Sequence, residues 1–197
     1  MKNFKWILYL VGVSILTLGI VLMIKSNLGT SPLDALLVAL TYKVGLSIGA
    51  WEVLISLVIV GINAIITMRK PQILGLMTAL ITGTFIDVWM LILKELNISQ
   101  TFGIQFIHFS IGLIITSFGT AIYLRTNFAP IPLDNLMLII TDKMKKSIQF
   151  SKSLIYISVL LLAFLMNGPI GLGTILTACL GGITLNYCIL LINKLVN

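Results

Sequence analysis

Six long apolar segments dominate the 197-residue sequence. Each approaches the roughly 20 residues that an α-helix needs to cross about 30 Å of hydrocarbon. Charged residues make up only 10% of the chain, whereas soluble domains carry about 25%. We therefore predict an all-α polytopic membrane protein with no soluble domain and with lipid as its main surroundings. The segments are 6–24, 51–68, 71–93, 103–124, 153–166 and 171–192.

The first apolar segment follows Lys2 and Lys5, as it would in a secretory signal peptide. Its apolar part is too long for such a peptide, and no small-x-small cleavage site follows it. We expect this segment to be retained as the first transmembrane helix.

An internal repeat divides the sequence into two halves. The tripeptide Pro-Leu-Asp at 32–34 recurs 100 positions later at 132–134, and Lys25-Ser26-Asn27 recurs as Arg125-Thr126-Asn127. Polar residues at this fixed offset indicate duplication. We predict two repeats, 1–97 and 98–197, which together form one membrane domain.

Each predicted repeat contains three long helices and one short helix that starts with proline, at 32–44 and 132–144. About 13 residues extend only about 20 Å, so the short helix either re-enters the membrane or crosses it. Re-entry gives three spans per repeat and inverts the second repeat, whereas crossing gives four and leaves the repeats parallel. The turn from Lys43 to Glu52 is nearly neutral, while its copy is strongly basic. This contrast favours inverted repeats under the positive-inside rule.

Asp34 and Asp134 are the first candidate site residues, since each falls in the first turn of a short helix. Ser31 is a suitable N-cap and Asp34 stands at the third helical position, so capping is one interpretation. Solute binding is the other, because discontinuous helices in matching parts of two repeats mark transporter sites. Asn27 and Asn127, in the turns before these helices, belong to the same candidate site.

Three further ionisable residues complete the candidate site. Asp87 lies within a span, and it is either a proton or cation site or an interfacial acid near Lys94. Lys25 and Arg125 each precede an aspartate by nine residues. They either pair with it or extend to the lipid head groups.

Other function classes find little support in the sequence. The net charge of +7 is spread over the ends of the spans, so nucleic-acid binding is not expected. His108 is the single histidine, and Cys179 and Cys188 fall on opposite faces of one helix. We therefore expect no metal site and no cofactor. No nucleotide-binding or catalytic motif is present, so an enzyme is not expected.

Three motifs carry a family resemblance. Gly-Thr-Ser-Pro-Leu-Asp-Ala-Leu at 29–36, Ser-Ile-Gly-Ala-Trp at 47–51 and Asn63 resemble the YczE/YitT group of bacterial integral membrane proteins. The resemblance covers nearly the whole chain. It implies a multi-pass protein of the bacterial cytoplasmic membrane and is compatible with a transporter, without indicating a substrate.

Two function hypotheses follow. The first is a small secondary transporter or channel-like permease for a solute or ion, with its pathway between the repeats. The alternative is a non-transporting scaffold, assembly factor or regulatory partner of another membrane protein. A polar cavity between the repeats favours the first, and a dry packed core favours the second. Homo-oligomerisation is left open.

Overall fold

The computed structural model describes residues 2–196, with side chains described for 5–147 and 150–194. Met1 and Asn197, the outer ends of the two predicted repeats, and the Lys2 side chain lie outside the described part. Within residues 2–196 the chain is helical without strands. The helices are α1 Lys2–Lys25, α2 Pro32–Val44, α3 Ile48–Thr67, α4 Ile73–Ile92, α5 Phe102–Arg125, α6 Pro132–Met144, α7 Ile148–Leu165 and α8 Leu172–Val196.

Five of these helices, α1, α3, α4, α5 and α8, are long and apolar enough to cross a membrane. The sequence predicts a sixth span in α7, whose apolar part, Phe150–Leu165, is shorter. Its first turns contain Ser151, Lys152 and Ser153, which interrupt the apolar run. The polytopic all-α membrane fold is thus confirmed, and five helices meet the criterion for a span by length and composition.

The centre of the molecule is the contact between α1 and α5. Gly12, early in α1, packs on the backbone of Tyr123, late in α5, whereas Gly19 packs on Gly112. The two helices therefore run in opposite directions. A Cβ atom at Gly12 would lie 2.7 Å from the Tyr123 nitrogen, so glycine permits this close approach of two helix backbones in lipid.

The fourth and eighth helices run alongside the central pair. Ile81 and Phe85 of α4 pack beside the middle of α1, and Lys25 at the end of α1 reaches the Lys94 carbonyl just beyond α4. Likewise, Arg125 at the end of α5 reaches the Ile192 carbonyl near the end of α8. Each central helix therefore has a parallel neighbour from its own half of the sequence.

The short helices pack across the boundary between the two halves. Ala35 and Leu36 of α2 cluster with Ala163 of α7, while Leu133 of α6 clusters with Ile59 of α3. The halves are therefore interlocked and share one core.

The predicted bounds of both short helices are confirmed. Each has 13 residues and starts with proline. Ser31 caps α2, because its side chain accepts a hydrogen bond from the Asp34 nitrogen at 3.3 Å. Ile131 offers no side-chain cap to α6, as its apolar side chain predicts. The start of α6 is consequently held by fewer hydrogen bonds.

Candidate functional site

A cavity of about 430 Å³ lies between helices from the two halves of the sequence. Most of its wall is apolar, with side chains such as Ile20, Leu113 and Met137. Six ionisable side chains also reach it, and they come from both halves. These are Asp34, Glu52, Tyr123, Asp134, Lys152 and Tyr156.

Asp34 both caps its helix and lines the cavity, so the two interpretations of this residue do not exclude each other. Its Oδ2 atom accepts hydrogen bonds from Ser31 Oγ at 2.5 Å and from Thr30 Oγ1 at 3.4 Å. The residue is 6% exposed. Two hydroxyl donors and the amide end of α2 partly replace the water that the carboxylate gives up.

Asp134 lines the same cavity from the start of α6 but has different neighbours. It is half-buried, and its carboxyl group interacts with the Lys152 ammonium group and the Tyr123 hydroxyl group. The structure thus brings the two repeated aspartates to one cavity, one held by hydroxyl groups and the other beside an ammonium group.

Glu52 is a cavity residue that the sequence analysis missed. It lies in the second turn of α3 and is 4% exposed, with Ser56 and the two cavity aspartates as polar neighbours. A signal for it exists in the sequence, because Ile48, Glu52, Ser56 and Asn63 follow helical spacing and all are buried. An acid on a buried helical face in a membrane protein is a functional candidate.

Lys152 occupies the position in the second half that matches Glu52, 100 residues later. The sequence predicts Lys152 at the end of the strongly basic turn in the second half, but its side chain lines the cavity. Its Nζ atom lies 5.2 Å from the centre of the Tyr156 ring, a cation–π distance. Matched positions therefore carry opposite charges in one cavity.

Asp87 caps another helix and does not line this cavity. Its carboxylate accepts hydrogen bonds from Ser47 Oγ at 2.5 Å and from the Gly49 nitrogen at 2.9 Å. Both donors stand at the start of α3, where backbone N–H groups lack helical partners. The structure therefore gives Asp87 a structural contact, and its prediction as a proton or cation site stays a prediction.

Lys25 and Arg125 bind the ends of helices instead of the cavity aspartates. Lys25 Nζ donates to the Lys94 carbonyl at 3.2 Å, and Arg125 Nη1 donates to the Ile192 carbonyl at 3.2 Å. A cation is favourable at a helix C-terminus. Both repeated basic residues thus make the same kind of contact in their own half.

Asn27 and Asn127 lie in turns, apart from the cavity. Both are exposed and have positive φ angles of 58° and 52°. Asparagine tolerates this left-handed conformation better than most residues. Their predicted contact with a solute stays a prediction.

The cavity carries more acidic than basic groups. Asp34, Glu52 and Asp134 contribute carboxylates, whereas Lys152 is its single lysine among the described residues. Across the described part of the chain, no group of three or more His, Cys, Asp or Glu residues is placed to hold a metal ion. The three acids therefore line one space without converging on one point.

Long apolar helices around a partly open cavity with buried ionisable side chains define a multi-pass membrane protein. The chain belongs to the family of unknown function DUF6198, whose model matches residues 3–189. It is 51% identical over 182 residues to the uncharacterized protein YyaS of Bacillus subtilis (strain 168), covering 92% of this chain and 90% of YyaS.

Two more relatives match over most of their length. The uncharacterized membrane protein YczE of Bacillus subtilis (strain 168) is 35% identical over 184 residues, covering 93% of this chain and 84% of YczE. An uncharacterized protein of Haemophilus influenzae is 31% identical over 192 residues, with 94% and 84% covered. The resemblance to YczE is thereby confirmed. No solved structure matches the chain.

Proposed function

We propose that this protein is a small secondary transporter or channel-like permease of the bacterial cytoplasmic membrane, with its pathway through the cavity between the two repeats. The observation that carries the proposal is the convergence of Asp34 and Glu52 from the first half with Asp134 and Lys152 from the second on one cavity. Ionisable side chains inside a membrane are costly and mark solute or ion pathways. A scaffold protein would not need these ionisable side chains, because an apolar core would serve it equally well.

The start of each short helix supports a solute site at this place. α2 and α6 both begin at a proline, and the aspartate two residues later lines the cavity. Broken helices in matching parts of two repeats expose helix N-termini at the binding sites of many secondary transporters. The proposal requires no covalent step and no cofactor.

We further propose that the two repeats are inverted, each with three spans and one re-entrant helix. The opposite directions of α1 and α5, which are corresponding helices, support this arrangement. Inverted repeats can exchange conformations, so that one fixed site opens first to one side of the membrane and then to the other.

Cysteine labelling tests the orientation of the repeats. With Cys179 and Cys188 replaced by serine, Arg69→Cys and Gln100→Cys would each place one thiol in an exposed loop. With the N terminus inside, as the positive-inside rule favours, inverted repeats predict that an impermeant thiol reagent reaches Arg69→Cys from the inside and Gln100→Cys from the outside. Parallel repeats predict the reverse for both positions, and that result would contradict the inverted arrangement.

Transport itself is tested by flux in proteoliposomes, after a thermal-shift screen of ions and metabolites has identified a stabilising solute. We expect Asp34→Asn and Asp134→Asn to abolish uptake while the protein still elutes as a folded species. Asp142→Asn is the matched control, since Asp142 is exposed and does not line the cavity. Flux that is unchanged in both cavity variants would overturn the proposal.

A further inference from the structure

The cavity points to a class of ligand, and this inference rests on the proposed transport function. We propose that the cavity binds an organic cation with an apolar body, whose charged group lies beside Asp34 and Glu52.

The distribution of charge within the cavity favours a cation at one end. Lys152 is the lysine that lines it, and its charge attracts that of Asp134. No lysine or arginine contributes such an attraction at Asp34 or Glu52. The acids without a basic partner therefore come from the first half, and a cation bound beside them would favour their ionised form.

The shape of the cavity favours an organic ion over a bare metal ion. A metal ion needs several ligands at short distances from one point, and the acids of the described chain form no such group. The volume of about 430 Å³ falls within the range of about 300–1,000 Å³ that is typical of small-molecule sites. The apolar wall around the acids would cover the body of an organic ion and favour its removal from water.

Thr116 provides an independent indication of a ligand. It lines the cavity, yet its buried hydroxyl group has no hydrogen-bond partner among the described residues. A buried polar atom without a partner costs free energy. A polar atom of a bound ligand would satisfy this hydroxyl group.

Direct binding to the purified full-length protein tests this inference without any need for flux. Tetraphenylphosphonium and tetraphenylborate have the same shape and opposite charge, so their comparison isolates the sign of the charge. We expect the phosphonium ion to bind and the borate to bind at least tenfold more weakly. Equal binding of the two ions, or tighter binding of the borate, would overturn the inference.

Variants locate the bound charge. Glu52→Gln and Asp34→Asn should each weaken phosphonium binding at least tenfold, whereas Glu95→Gln, at an exposed position outside the cavity, should leave it unchanged. Equal affinity in Glu52→Gln and Glu95→Gln would contradict the site. If the cavity variants fail to fold, the comparison of the two ions on the wild-type protein still decides.

The ligand class and the transport function can fail separately. Phosphonium binding without flux of any organic cation in proteoliposomes would support the ligand class and contradict transport. Flux of an anion or a neutral solute, together with no phosphonium binding, would contradict the ligand class alone.

Discussion

The turn before α2 and the turn before α6 lead into the same Pro-Leu-Asp sequence but are held by different contacts. The first has Gly29, Thr30 and Ser31, and both hydroxyl groups bind Asp34. At the matching positions the second has Ala129, Pro130 and Ile131, without a side-chain cap on α6. The two aspartates therefore share a position in the two halves of the sequence but not an environment.

The contrast continues on the next helix of each half. Glu52 adds a further acid near Asp34 and Asp134, whereas Lys152 adds an ammonium group near Asp134. The first half thus contributes two acids to the cavity, and the second half contributes one acid together with a base. A single asymmetric site explains these differences better than two equivalent sites.

Contacts outside the cavity are alike in the two halves. Lys43 donates to the Leu165 carbonyl at 3.4 Å, and Lys143 donates to the Ile66 carbonyl at 3.2 Å. Each of these lysines belongs to a short helix and binds near the end of a long helix in the other half. Contacts with helix ends therefore account for these repeated basic residues. The two halves differ instead at the residues that line the cavity.

The largest effect is expected at the glycine of the first turn. Gly29 has a φ angle of 100°, and a Cβ atom there would lie 2.7 Å from the Gly171 nitrogen. Gly29→Ala should therefore lower the free energy of unfolding by about 2 kcal/mol, from backbone strain together with the contact. Ala129→Gly, the matched change in the second turn, should cost less than about 1 kcal/mol. Unfolding in mixed micelles measures both losses of stability, and equal losses would show that the two turns constrain the chain alike.

An intermediate effect is expected from the charge that distinguishes the second half. Lys152→Gln removes the ammonium group beside Asp134, so the cavity becomes more negative. Phosphonium affinity should rise about tenfold, or roughly 1.4 kcal/mol. Lys146→Gln, at an exposed position outside the cavity, serves as the control for equilibrium binding. A fall in affinity specific to Lys152→Gln would show that the second half is not the neutralised side.

The smallest effect is expected at the two cap positions. Ser31→Ala removes the side-chain cap of α2 and should cost about 1 kcal/mol of stability. Ile131→Ser offers α6 the cap that it lacks and should raise stability by less than about 1 kcal/mol. The same unfolding assay should give opposite signs for the two variants, whereas losses of equal size would show that the two cap positions do not differ.

The sequence predicts the membrane fold and both short helices well, because the length of an apolar segment and a proline at a helix start are local features of the sequence. It also identifies Asp34 and Asp134, which the structure brings to one cavity. Lys25, Arg125 and Asp87 were harder to interpret, since the sequence does not reveal which distant helix end a charged side chain binds. Glu52 was missed because it closely follows a turn in the sequence, whereas its place on the buried face of α3 brings it to the cavity.

A transport pathway through the cavity must open in turn to both sides of the membrane. Met137 lines the cavity, so Met137→Cys, with Cys179 and Cys188 replaced by serine, places a single thiol there. We predict that an impermeant cationic thiol reagent labels Met137→Cys from either side of oriented vesicles, and that tetraphenylphosphonium slows both reactions. Gln100→Cys, in an exposed loop, should react from one side only. Labelling of Met137→Cys from one side alone, or from neither, would contradict a pathway through the cavity.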